Sequence, residues 1–418
     1  MIALATRLIA ALCQFGALVV LANRVGAESF GVASIAILGA RLISAVAGKG
    51  LAPLVLAGRG IAVSSTSVGQ LIDSRKSASA IWGLGFGVAV AVVFDFWLPI
   101  GILAVIVISV TSVATTRLVL FVESIKQLER PVIAISTEFF PSTIAISVAA
   151  LVAPMLVSDS ASYEALAILA FYASGQVLSA LLAARLQSGL VTPEAAGPGQ
   201  EDASLPQAPI LASTVLSLFL PVAALAGARG LFDGQAAGQV SAVLRLLSPS
   251  MIVLAGVAAT EMPHLGRLLA NGSTEALSQF IRAQRVVFAL VAPYQIGLLV
   301  YPGAAQFIFG SEYADVATAV QILAVGQLIN CATGLSVETT QVLEGGARAD
   351  AATGFGAAVV FLPITWVLAS TLGLGGAEAV CLWFSGVLSV RSLVAWVFAR
   401  RGLVEAKNNV ELRVVASV

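Results

Sequence analysis

Four basic side chains lie inside long apolar stretches of this sequence: Arg41, Lys49, Arg245 and Arg391. An arginine or lysine at the centre of a bilayer costs about 2.5–3.5 kcal/mol on insertion scales, so such residues normally face a water-filled cavity or a charged partner. Guanidinium and ammonium groups bind phosphate and carboxylate oxygens well. We therefore predict that these four residues line a cavity and bind an anionic substrate.

Each of these residues also has a simpler interpretation. Lys49 and Arg245 lie closer to the ends of their stretches, where a long side chain can extend to the membrane surface. Arg391 could instead pair with an acid on a helix or with a backbone carbonyl. Arg41 lies about ten residues into its stretch, near the midplane at about 1.5 Å per residue, which favours the cavity. Glu138 is a candidate coupling carboxylate, although an interfacial role is the simpler interpretation of it.

Other kinds of chemistry find no support in the sequence. It contains no glycine-rich phosphate loop with its lysine, no paired-histidine zinc motif and no nucleophile elbow. His264 is the single histidine, and Cys13, Cys331 and Cys381 lie within apolar runs without paired spacing, which disfavours a zinc site or a disulfide framework. With 22 basic and 22 acidic residues the chain has no net charge. We expect no cofactor, no metal, no nucleic-acid partner and no enzymatic activity.

The composition is that of a membrane protein. Of the 418 residues 59% are hydrophobic and 11% are charged, whereas soluble domains carry about 25% charged residues. Stretches near 20 apolar residues are long enough to cross a bilayer as helices. Twelve are present, at about 4–22, 31–57, 79–99, 100–121, 131–157, 163–185, 209–228, 238–262, 285–301, 316–339, 351–371 and 376–399. We predict an all-α, polytopic integral membrane protein, with 4–22 retained as the first helix rather than cleaved as a signal peptide.

Basic residues predict the orientation of these helices. With the N-terminus placed in the cytoplasm, the outer loops hold only Arg24 and Arg229. Apart from the four basic residues within spans, the other lysines and arginines, among them Arg117 near the end of its span, fall on the cytoplasmic side. This asymmetry follows the positive-inside rule. We therefore predict that both termini are cytoplasmic.

A proline-, glycine- and alanine-rich segment divides the chain near its midpoint. Such a composition cannot bury a core and is typical of a flexible linker. We predict an N-terminal six-helix bundle at 1–186, a cytoplasmic linker at 187–208, a C-terminal six-helix bundle at 209–400 and a cytoplasmic tail at 401–418. Two six-helix halves joined in this way are a transporter architecture.

The two halves share a short pattern at the start of their second helices. In each half an arginine and an acidic residue precede a Gly-x-x-Ser sequence that opens a helix. The residues are Arg24, Glu28, Gly31 and Ser34 in the first half, and Arg229, Asp233, Gly238 and Ser241 in the second. This match supports a parallel repeat about an axis along the membrane normal.

Several short motifs, in order and spacing, resemble one transporter family. They are Gly26-Ala27-Glu28-Ser29-Phe30-Gly31, Phe309-Gly310-Ser311-Glu312-Tyr313, Gly345-Gly346-Ala347-Arg348 and Gly373-Leu374-Gly375-Gly376-Ala377-Glu378-Ala379. Together they resemble the polysaccharide-transport flippases, the O-antigen-flippase-like branch of the multidrug/oligosaccharidyl-lipid/polysaccharide superfamily.

The resemblance implies two six-helix bundles around a central cavity and alternating access. It implies transfer of undecaprenyl-diphosphate-linked oligosaccharide from the inner to the outer leaflet, for surface polysaccharide biosynthesis in a bacterial inner membrane. Arg41, Lys49, Arg245 and Arg391 would then hold the pyrophosphate or acidic sugars. The partners would be this lipid-linked substrate, the lipid bilayer and the polysaccharide polymerase machinery.

Other functions stay open at this point. A multidrug or organic-cation antiporter of the same superfamily would need a carboxylate facing the cavity, and Glu138 is the main candidate. A membrane-bound glycosyl polymerase or ligase usually needs a large outer loop, and the outer loops here are short. A scaffold role without transport is also compatible with the sequence.

Overall fold

Helices make up all the regular structure that the computed structural model describes, which covers residues 2–47, 80–88, 100–127, 130–156, 161–190, 207–270, 273–343 and 345–416. Within these ranges, 10 helices are long and apolar enough to cross a membrane, and Ile9–Arg24 is a shorter apolar helix. A helix satisfies its backbone hydrogen bonds internally, as the hydrocarbon interior of a bilayer requires. The predicted all-α polytopic membrane fold is confirmed.

The helices are numbered here in chain order. They are α1 (Ile2–Arg24), α2 (Ala27–Ala47), α3 (80–88), α4 (Ile100–Gln127), α5 (Pro131–Leu156), α6 (Ala161–Leu190), α7 (Gln207–Leu231), α8 (Gly234–Ala270), α9 (Ala276–Val300), α10 (Ala304–Phe309), α11 (Ala317–Thr333), α12 (Ser336–Val342), α13 (Gly346–Leu372) and α14 (Gly376–Ala416). A 3-10 helix, Ser311–Val316, lies between α10 and α11.

Two helix boundaries differ from the sequence-based expectation. The span predicted at 316–339 is divided, because Gly334 has a φ of +63° between α11 and α12. This left-handed conformation is open to glycine and ends the helix there. Helix α14 continues through most of the predicted tail, over 41 residues to Ala416. At about 1.5 Å per residue it is about twice as long as the hydrocarbon core is thick, so its last turns extend beyond the membrane.

Contacts divide the chain into two compact units. Unit 1 comprises Met1–Leu246 and Gly303–Val316, and unit 2 comprises Leu247–Pro302 and Ala317–Val418. The division into halves at 187–208 concerns the sequence repeat and remains a prediction. In that segment α6 extends to Leu190 and α7 begins at Gln207, and the residues between them lie outside the described ranges.

Apolar helix packing holds unit 1 together. Helix α1 packs along α5, and α6 packs along both α4 and α5. Between α1 and α5, the buried Ala10 contacts Ile135 and Phe139. The small alanine lets the two backbones approach closely, as is common between membrane helices.

Helices α2 and α8 approach each other within unit 1 at the two Gly-x-x-Ser segments. A Cβ atom added at Gly31 would lie 2.8 Å from the backbone nitrogen of Gly238, so the absence of side chains at both positions is what permits the approach. One turn further along each helix, the Ser241 hydroxyl donates a hydrogen bond of 2.6 Å to the Ser34 hydroxyl. Small residues and interhelical hydroxyl bonds of this kind fix a membrane helix pair.

This contact also determines where two arginines point. Arg41 follows Ser34 by seven residues on α2, and Arg245 follows Ser241 by four residues on α8. Residues four and seven apart share one face of an α-helix. Each arginine therefore projects from the same helix face as the serine in the contact, one or two turns further along.

The segment Gly303–Val316 belongs to unit 1 and docks on the junction of α1 and α2. The Asn23 side-chain amide donates to the Ile308 carbonyl at 2.9 Å, and the Ala27 backbone N–H donates to Glu312 Oε2 at 3.0 Å. The ring of Phe309 contacts Phe15 edge-on, at 6.2 Å between centroids. A carboxylate at the first residue of α2 is favourable because helix N-termini carry partial positive charge.

Unit 2 has its own apolar core. Helix α14 packs against α11, α12 and α13, and α9 packs against α11. The buried side chains of this core include Phe280, Val287, Leu335 and Leu403. Such a core supports the polar groups buried in the same unit.

Candidate functional site

A cavity of about 230 Å³ lies within unit 1. Five helices contribute to its wall, and the wall combines apolar side chains with hydroxyl, amide and charged groups. The polar members of the lining are Arg41 and Ser44 of α2, Thr115 and Thr116 of α4, Glu138 and Ser142 of α5, Gln176 of α6 and Thr214 of α7. A mostly apolar cavity with a few convergent polar groups is the usual form of a small-molecule site.

Arg41 provides the positive charge of this cavity. Its half-buried guanidinium interacts with Tyr172 of α6 and with the Glu138 carboxylate of α5. Tyr172 itself is only 1% exposed. An arginine held among a phenol and a carboxylate is oriented toward the cavity rather than toward lipid.

Arg245 lies in the same neighbourhood. Its guanidinium interacts electrostatically with Arg41 and Tyr172, and the side chain is half-buried. Two like charges at short range repel each other, and the repulsion is stronger inside a protein than in water. The pair is therefore suited to an anion that neutralises both, and Glu138 balances only part of their charge.

The amide and hydroxyl groups of the wall are arranged by local hydrogen bonds. Thr115 donates to Gln176 Oε1 at 3.3 Å across α4 and α6, and Thr116 donates to the Ser112 carbonyl one turn earlier at 2.7 Å. Residues 172 and 176 are one turn apart, so Tyr172 and Gln176 face the same way from α6. The wall can thus offer hydrogen bonds as well as charge.

Arg391, in unit 2, has a different environment. Its Nε donates to Asp350 Oδ1 at 2.9 Å and its Nη2 to Oδ2 at 2.6 Å, and both residues are nearly fully buried. The fork of an arginine and the two oxygens of a carboxylate match in this way, so each charge is compensated by the other. The structure therefore agrees with the simpler interpretation of Arg391, in which it pairs with an acidic residue on a helix.

The structure gives the predicted site residues different local environments. Arg41, Arg245 and Glu138 lie near one another in unit 1, and Arg391 is ion-paired in unit 2. Lys49 lies outside the described residues. Whether the first three bind a substrate remains a prediction. Among the described residues no group of three or more His, Cys, Asp or Glu side chains could hold a metal ion.

Sequence reasoning missed Tyr172, Gln176 and Asp350. A signal existed for the first two, because polar groups one turn apart in an otherwise apolar helix mark a face that is turned away from lipid. Asp350 stands one residue before the predicted span at 351–371. Nothing in the sequence connected it with Arg391, which is 41 positions away.

Comparison with solved structures identifies the fold. The chain resembles a MATE protein in complex with MaD3S, with a TM-score of 0.65 and 15% identity over 97% of this chain and 96% of that one. It also resembles the Vibrio cholerae MATE transporter VcmN in the bent form, with a TM-score of 0.58 and 12% identity over 97% and 99% of the two chains.

A third match is an outward-facing multidrug resistance MATE family transporter of the MOP superfamily, with a TM-score of 0.58 and 14% identity over 97% of this chain and 96% of that one. No protein-family model and no curated protein matches the sequence. The chain therefore has the MATE transporter fold over nearly its whole length.

Proposed function

We propose that this protein is a transporter of the MOP type that moves an anionic, lipid-linked oligosaccharide across a bacterial inner membrane. The observation that carries the proposal is the proximity of Arg41 and Arg245 in unit 1, beside a cavity with a partly polar wall. A diphosphate carries charge enough to engage both guanidinium groups, and arginine forks match phosphate oxygens.

The proposal that the substrate carries a glycan rests on other features. The cavity wall offers Thr115, Thr116, Ser142 and Gln176, which are groups that bind sugar hydroxyls. The short motifs of the sequence resemble the polysaccharide-transport flippases. On this proposal the polysaccharide polymerase machinery is a partner of the protein, and both termini of the chain are cytoplasmic.

A second candidate is a multidrug or organic-cation antiporter, and two observations favour it. The solved structures with this fold include a multidrug resistance transporter. Glu138 lines the cavity, and a membrane-embedded carboxylate is what proton exchange against a cation requires. Against it, the two nearby arginines would repel a cationic substrate.

One experiment separates the two. The experiment measures restored surface polysaccharide in a bacterium that lacks its own polysaccharide flippase, and in parallel the efflux of ethidium. It compares, at matched expression, wild type with the variants Arg41→Gln, Arg245→Gln and Glu138→Gln. Arg282→Gln is the matched control, because Arg282 is an exposed arginine of α9 that does not line this cavity.

The flippase proposal predicts that wild type and the control restore surface polysaccharide and that both cavity arginine variants fail, with no ethidium efflux. Efflux that is lost only in Glu138→Gln, without restored polysaccharide, would support the antiporter and contradict the flippase. If all variants restore polysaccharide equally, Arg41 and Arg245 do not bind the substrate.

A further inference from the structure

Two adjoining cavities lie along the outer surface of the α4 and α6 pair in unit 1. One has a volume of about 450 Å³ and the other about 570 Å³. Both are lined by Val110 of α4 and by Val177 and Leu181 of α6. Because they share these three residues, they form one continuous depression, which we call the α4–α6 groove.

The groove is apolar, and several of its side chains are exposed. Ile106 is 52% exposed, Leu178 51% and Leu181 61%. Small residues form its floor, including Ala114, Ala173 and Ala180. Larger side chains at these positions would fill the space, so the composition leaves a trough that a narrow apolar chain can occupy.

The groove is long enough for one acyl chain. On α4 it extends from Ile106 to Phe121, which is about 22 Å at 1.5 Å per residue. One leaflet of the hydrocarbon core is about 15 Å thick. A chain that enters from the end near Phe121 can therefore lie in the groove over the full depth of its leaflet.

Arg117 marks that end of the groove with a positive charge. It lines the wider cavity, and its Nε is buried and has no hydrogen-bond partner among the described residues. A buried donor without an acceptor costs about 1–3 kcal/mol, and more when it is charged. The guanidinium charge is therefore not compensated by a hydrogen bond at Nε, and an anion bound at the end of the groove would compensate it.

The depth of Arg117 suits a lipid headgroup. It lies five residues before Val122, where the span of α4 ends, which is about 7.5 Å along the helix. An arginine at this depth can extend its guanidinium to the level of the phosphates. This places a cation at one end of an apolar trough, the pattern that an anionic amphiphile matches.

We propose that the α4–α6 groove binds one anionic phospholipid, with an acyl chain between Val110 and Val177 and the phosphodiester at Arg117. A single guanidinium matches the single charge of a phosphodiester, whereas the pair Arg41 and Arg245 matches a diphosphate. The site is thus distinct from the cavity and does not depend on which substrate is transported.

The test measures retention of added lipid by native mass spectrometry. The purified full-length protein would be incubated with equimolar phosphatidylglycerol and phosphatidylcholine of the same chain length, and in a separate arm with undecaprenyl phosphate. The variants are Arg117→Gln, which removes the charge, and Val177→Phe, which fills the groove where its two cavities meet. The control is Arg185→Gln, since Arg185 is an exposed arginine of α6 that does not line the groove.

We expect wild type and Arg185→Gln to retain phosphatidylglycerol over phosphatidylcholine. Arg117→Gln should lose about tenfold in phosphatidylglycerol retention, the equivalent of one charge-assisted hydrogen bond. Val177→Phe should lose both lipids, with a thermal unfolding midpoint close to that of wild type.

Three results would overturn the proposal. The first is equal retention of the two phospholipids by wild type. The second is an equal loss in Arg117→Gln and Arg185→Gln, which would indicate nonspecific surface charge. The third is retention of undecaprenyl phosphate without phosphatidylglycerol, which would assign the groove to the carrier lipid instead.

Discussion

The hydroxyl groups of Ser34 and Ser241 are joined by a hydrogen bond of 2.6 Å, and both serines are buried. They occupy the same position in the two Gly-x-x-Ser segments, 207 residues apart in the chain. Equivalent residues of a repeat touch one another only where the axis that relates the repeats passes between them. The contact is therefore where a parallel repeat of this chain would have its axis.

The close approach of α2 and α8 predicts a penalty for any side chain at Gly31. We expect Gly31→Ala to lower stability by about 1–3 kcal/mol, because its Cβ would lie 2.8 Å from the Gly238 backbone nitrogen and one helix must shift. Thermal unfolding in detergent measures the effect. Gly227→Ala is the control, since a Cβ there meets nothing within 4 Å. Equal midpoints for the two variants would contradict the observed packing.

The serine pair predicts a measurable coupling. Ser34→Ala and Ser241→Ala should each cost about 1 kcal/mol, because each leaves the other buried hydroxyl without this partner. The double variant should cost less than the sum, and the difference in a double-mutant cycle is the coupling energy. Strict additivity of the unfolding free energies would show that the hydroxyl groups do not interact.

The contact between Glu312 and the start of α2 predicts a graded response. Glu312→Ala removes the acceptor for the Ala27 N–H and should cost about 1 kcal/mol, as loss of a helix cap does. Glu312→Gln keeps an acceptor without the charge and should cost less. Asp315→Ala is the control, an exposed acid on the same segment. If that variant unfolds at the same temperature as Glu312→Ala, the hydrogen bond is not what stabilises the segment.

The buried ion pair of unit 2 predicts that removing one of its charges destabilises the protein more than removing both. Arg391→Met should destabilise the protein by about 3–5 kcal/mol, because it leaves the buried Asp350 carboxylate without its partner. The double variant Arg391→Met with Asp350→Leu should recover most of this loss. Thermal unfolding of both variants, beside the exposed control Arg348→Gln, tests this order of stabilities. A double variant that is less stable than Arg391→Met would contradict the explanation that the unpaired carboxylate causes the loss.

The fold class followed from the sequence because it depends on local properties. An apolar run of about 20 residues must be helical in lipid, whatever its neighbours. The predicted helix ends were less accurate, as at Gly334 and at the end of α14. Hydropathy does not report turn geometry or whether a helix continues past the membrane. The candidate site could be proposed in part from the sequence for the same reason, since a charge in an apolar run marks a position that lipid cannot surround.

The sequence by itself determined that this is a membrane protein of many helices, and it marked Arg41, Glu138, Arg245 and Arg391 as unusual positions within them. Only the tertiary structure decided how these residues are grouped. Arg41 and Arg245 come together because Gly31 and Gly238 bring α2 and α8 into contact, whereas Arg391 of unit 2 is paired with Asp350. Pairing between residues far apart in the chain depends on which helices pack together, and hydropathy leaves that choice open.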